Sequence, residues 1–119
     1  MASRAVIIVS GGDAVSPFTT PDAACTIGLA AGNTDTALRQ HLLARGHRVF
    51  TSPAMNARGP VVDQLESFGP FGGMPLVLPE HLTVNSTGDI DLAGEHLARF
   101  LTYLHTDHGV DTLDIVAHS

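Results

Sequence analysis

The chain has no tryptophan, no lysine, one tyrosine and one cysteine, Cys25. A lone cysteine is a reduced thiol in a reducing compartment and an unpaired partner in an oxidising one, so cytoplasmic and secreted locations both stay open. Positive charge is scarce. Six basic residues stand against twelve acidic ones, for a net charge of −6. With no basic cluster to meet phosphates, a nucleic-acid partner is not expected. No apolar run is long enough to span a bilayer, so no transmembrane segment is expected. Met1-Ala2-Ser3-Arg4 leads straight into an apolar run, without the layout of a signal peptide. A mature form trimmed of its leader would read the same.

The composition that remains is that of a core-forming chain. The 119 residues are 44% hydrophobic and 15% charged, which fits one globular domain or part of one rather than disorder.

Ala5-Val6-Ile7-Ile8-Val9 is compact, apolar and β-branched, and reads as a central parallel strand. Ser10-Gly11-Gly12-Asp13 follows at once. Two glycines at a strand's C-terminal end allow a sharp turn and leave N–H groups open to a ligand. Residues 15–32 mix Pro17, Pro21, Gly28 and Gly32 with small apolar residues, and read as a long loop with one short helical turn, Phe18 capping the core. Asn33-Thr34-Asp35-Thr36 supplies short polar side chains for a helix start. Ala37, Leu38, Leu42 and Leu43 share one helical face, and Gly46 supplies the stop. Arg48-Val49-Phe50-Thr51 reads as the next strand, closed by Pro53. Strand, helix, strand implies a parallel pair with a right-handed crossover.

Residues 52–87 are rich in glycine and proline, yet also in Phe68, Phe71, Met74, Leu76, Val77, Leu78 and Leu82. They read as a packed excursion over the sheet's C-terminal edge, with a short helix over 61–68. It forms either an acyl-binding wall or an Ω-loop burying its own side chains. Asp89 opens a second helix, along which Ile90, Ala93, Leu97, Phe100, Leu101 and Leu104 recur at helical spacing until Gly109. Residues 112–117 form a third strand. The pattern predicts an α/β fold, a parallel sheet with helices on both faces, with the first strand between the other two. A switch point then falls between the first and third strands, where diverging loops open a crevice.

The third strand ends in Ala117-His118-Ser119, a small residue, a variable one and a serine. These are the opening positions of a nucleophile elbow, a strained strand-to-helix turn that presents a serine. Gly11 and Gly12 would leave the same end of the sheet, bringing backbone donors beside that hydroxyl. Acyl transfer needs this pairing: the hydroxyl attacks a carbonyl carbon and N–H groups hold the oxyanion.

Here the residues resemble a family. Val6-Ile7-Ile8-Val9-Ser10-Gly11-Gly12, the helix end Leu42-Leu43-Ala44-Arg45-Gly46-His47-Arg48-Val49, the helix over 89–104 and Leu113-Asp114-Ile115-Val116-Ala117-His118-Ser119 look like the α/β-hydrolases, in the bacterial lipase and esterase branch. The likeness runs along nearly all of this chain but only about the first half of the family's catalytic domain. It implies that residues 1–119 are the N-terminal part of one α/β-hydrolase catalytic domain. It implies a serine hydrolase of lipophilic carboxylic esters, a lipase or carboxylesterase, with Ser119 as nucleophile. Gly12 would offer an oxyanion-hole N–H, with Gly11 as the turn residue. The acid and histidine of the triad, and the rest of the domain, are expected after Ser119. No cofactor or metal is implied. Ala117 stands where the family more often has glycine, a variant resembling one found in some bacterial lipases; Ser10 stands where it often has histidine.

The other titratable residues read as structural. Alternation turns His118 away from the serine. His105 and His108 read as charges at a helix C-terminus rather than metal ligands. His41, His47, His81 and His96 read as surface residues, and Asp114 as a strand-edge residue rather than the triad acid. From a different class, a flavodoxin-like module could hold a phosphate-bearing ligand at Ser10-Gly11-Gly12-Asp13 without covalent chemistry. A third expectation concerns the ending: the chain is one piece of an interrupted or cleaved polypeptide, or stops where its nucleophile is modified. Three strands with unpaired edges are expected to be unstable alone.

Overall fold

The computed structural model describes residues 3–10, 16, 18–21, 33–55, 78–85 and 87–117. Its elements are β1 (Arg4–Val9), α1 (Asn33–Ala44), β2 (Val49–Thr51), β3 (Ala54–Met55), a 3-10 turn (Glu80–Leu82), β4 (Val84–Asn85), α2 (Ile90–His108) and β5 (Thr112–Ala117). β2, β1 and β5 form a three-stranded parallel sheet in that order, with β1 in the middle. β1 and β5 run in register over six residues, from Arg4 beside Thr112 to Val9 beside Ala117. β3 and β4 make a separate, short parallel pair.

β1 is apolar on both faces because both faces are covered. Ala5 and Ile7 join Phe50, Phe100 and Leu104 in the core beneath α2. Val6 and Ile8 join Val49 in a smaller cluster packed by Leu38, Leu42 and Leu43 of α1. One helix thus lies on each face, and the fold is α/β with a parallel sheet. Since α1 leads the chain from β1 to β2 and α2 leads it to β5 on the opposite side, the switch point falls between β1 and β5.

The helix ends follow their residues. The Asp89 carboxylate accepts the Asp91 N–H at 3.1 Å, capping α2. Gly109 ends it in the left-handed region, φ +67°, with its N–H on the Leu104 carbonyl. Along α2, Phe100 and Leu104 are fully buried, with Leu97 and Leu101 packed against them. Ile90, assigned to that face by spacing, is instead 84% exposed. It is the first helical residue, beyond reach of the sheet.

Two stretches differ from their loop readings. The residues before α1 add an antiparallel margin to the sheet: Thr19 bridges Thr51 and Ser16 bridges Ala54. Phe18 between them is 3% exposed. It lies parallel to Phe50 at 6.1 Å and edge-on to Phe100 at 5.7 Å, so it caps the core as expected. Within residues 52–87 the described part is packed, with Leu78 and Leu82 in the α2-side core. The expected helix over 61–68 lies outside the described residues.

Candidate functional site

Three of the positions expected to carry chemistry, Gly11, Gly12 and Ser119, lie outside the described residues, as does His118. Their approaches are described. β1 ends at Val9 and β5 at Ala117, and these two residues are register partners in parallel strands. The chain therefore leaves β1 and β5 at the same end of the sheet, on neighbouring strands, beside the switch point. Adjacent strands are separated by about 4.8 Å.

The floor at this end is polar and buried. Ser10 is 7% exposed, and its hydroxyl lies 3.0 Å from that of Ser16. The Thr19, Thr51 and Ser52 side chains are fully buried, and among the described residues their hydroxyls find no hydrogen-bond partner. Arg39 of α1, also buried, donates to the Val49 carbonyl at 3.1 Å and to the Thr20 carbonyl. These donations tie α1 to both the sheet and its antiparallel margin. Sequence reasoning missed this shelf, because bridges from a loop segment leave no periodic trace; the run Thr51-Ser52 after an apolar strand was its one visible sign.

Several titratable side chains among the described residues are engaged elsewhere. Asp114 pairs with Arg4, which sits at the N-terminal end of β1, opposite the strand tips. Arg4 Nε donates to it at 2.9 Å. Asp114 is thus a strand-edge residue engaged in an exposed ion pair. His105 fits a helix-end role: Nδ1 lies 3.0 Å from the Val110 carbonyl and 3.5 Å from the Asp111 carboxylate. His108 does not, since its ring turns inward into an aromatic cluster and burial lowers its pKa. His96 is half-buried rather than a free surface residue. Its Nδ1 faces the Thr83 carbonyl at 2.8 Å. A carbonyl only accepts, so Nδ1 carries the hydrogen. This ring helps line a small pocket of about 70 Å³ between α2 and the β3–β4 pair, with Met55, Leu92 and Asp89.

Among the described residues no three His, Cys, Asp or Glu side chains are gathered to hold a metal ion, and no helix is long and apolar enough to cross a membrane. No family model, characterised protein or solved structure matches this chain.

Proposed function

We propose that this chain carries the nucleophile-bearing part of a serine hydrolase of carboxylic esters, of the lipase or carboxylesterase kind within the α/β-hydrolases. The observation that carries the reading is the pairing of Val9 with Ala117, which sets the exits toward Gly11-Gly12 and toward Ser119 side by side at a switch point. Neighbouring exits support the reading because acyl transfer needs a hydroxyl close to main-chain donors.

In this reading the Ser119 hydroxyl attacks the ester carbonyl carbon. A C–O bond forms, a histidine base supplied beyond Ser119 takes the hydroxyl proton, and the Gly12 N–H holds the oxyanion. Collapse expels the alcohol, which leaves with that proton and gives an acyl-enzyme. Water repeats the sequence to release the acid. The low count of basic residues and the apolar excursion favour an uncharged, lipophilic acyl group. The remaining triad and sheet come from the rest of the domain. A supporting feature is the outer edge of β5. Among the described residues it meets no strand, and Ile115 on it is 46% exposed. A further strand of the same sheet would cover both.

The phosphate-binding alternative gains nothing from the fold. α1 begins at Asn33, so Gly11-Gly12 does not open it, and Thr19, between them in sequence, bridges Thr51 of β2.

The test is labelling of the full-length protein by a fluorophosphonate probe, with p-nitrophenyl ester hydrolysis as the second readout. Label is expected on Ser119, and Ser119→Ala is expected to abolish it and to cut kcat by about 10⁴-fold or more. An unlabelled Ser119 in folded protein, or label and turnover unchanged in the variant, overturns the proposal.

A further inference from the structure

His108 closes α2, yet its half-buried ring leans onto the aromatic part of the core. Its centroid lies 5.3 Å from Phe50 and Tyr103 and 5.8 Å from Phe18. The Tyr103 hydroxyl is 3.2 Å from Nε2. The His108 carbonyl accepts from Arg48 at 2.7 Å, and the same guanidinium donates to the Ser3 hydroxyl at 2.8 Å and stands 5.1 Å over the Phe50 ring. His108 therefore joins the last turn of α2 to β2 and, through Phe18, to the antiparallel margin, while Arg48 carries the joint on to Ser3 before β1.

We propose that His108 is an acid-released latch: the neutral imidazole fastens the end of α2, and with it the turn into β5, to the sheet, and protonation loosens that joint. The neutral ring fits because Nε2 can accept a hydrogen bond from the Tyr103 hydroxyl and because its neighbours are mostly carbon. Added charge would sit among those rings and beside Arg48, whose described contacts are neutral acceptors. From α2 itself, Tyr103 and Asp107 face the group; from the β2 side, Arg48 does. From the turn into β5, Asp111 engages His105 at 3.5 Å. Asp107, the negative end of the helix and the ring faces favour a charged imidazole. Burial and then Arg48 outweigh Asp107 and hold the group below its ordinary value.

The sign follows from that direction. A released imidazole binds its proton near the ordinary value of about 6.5, above the value of the fastened one. The latch is therefore complete above that pH and weakens as pH falls through it. One proton allows up to about tenfold in the opening equilibrium per pH unit.

The experiment is amide hydrogen exchange on the full-length protein at pH 7.5 and 5.5, corrected for intrinsic rates, read over residues 104–113. Protection is expected to fall several-fold at the lower pH, and His108→Gln and His108→Phe are expected to remove that pH-dependent part. The His108 imidazole, followed by NMR, is expected to titrate below its ordinary value. Titration at or above it, or equal acid loosening in both variants, overturns the proposal.

Discussion

Phe18 sits in a stretch with no helical or strand pattern, and it is nonetheless buried in the core. Three rings from two elements, Phe50, Phe100 and Tyr103, close on it at 5.7–6.1 Å. Phe18→Ala would leave a void that the flanking sheet and helix cannot collapse into, and is expected to cost about 3–5 kcal/mol. Urea denaturation of the full-length protein, with the slope unchanged and the midpoint lowered, is the check. Arg4 and Asp114 make the opposite case. Their contacts are short and bidentate, but both side chains are more than half exposed. Asp114→Asn is expected to change stability by no more than about 1 kcal/mol. Enclosure, rather than the number of drawn contacts, separates the two substitutions.

At the scale of elements, the ends of α2 allow a paired test. Asp89→Ala removes an N-cap acceptor and is expected to cost about 1 kcal/mol. Gly109→Ala places a Cβ in the left-handed region, where nothing lies within 4 Å to clash, so its cost is conformational, about 1 kcal/mol. The two ends are far apart, and their effects are expected to add within about 0.5 kcal/mol in the double variant by denaturation. The elements that bear long apolar patterns were legible in sequence: β1, α1, β2, α2 and β5 follow from runs or periodicities that tertiary packing then respects. β3, β4 and the Ser16 and Thr19 bridges were not. Pairs of two residues have no period, and their position is decided by what they lie against. Spacing also misplaced Ile90 and Ala37, both exposed near the N-terminal ends of their helices, because periodicity names a face but not how far a neighbour extends along it. Of the candidate site, the strand tips were legible from where the apolar runs stop. The hydroxyl shelf of Thr19, Thr51 and Ser52 was not, because it is assembled across elements.

For the whole molecule, Ile7 and Ile115 are the informative pair, since they are direct partners across β1 and β5. Ile7 is fully buried and Ile115 is 46% exposed. Ile7→Ala is expected to cost about 2–5 kcal/mol. In the full-length protein, where the proposed further strand lies beside β5, Ile115→Lys is expected to cost more than about 1 kcal/mol by urea denaturation. An Ile115→Lys variant as stable as the parent would mean that the β5 margin stays open and that no further strand covers it.

The bridges of Ser16 and Thr19 give the sheet a polarity that its strand order alone does not. On the β2 side, the chain doubles back antiparallel and takes up the main-chain groups of Thr51 and Ala54. On the β5 side, six residues in register with β1 present their outer margin with no described neighbour. The ribbon is thereby given a direction: among the described residues one flank is hemmed by its own chain, and the other is left able to receive a newcomer.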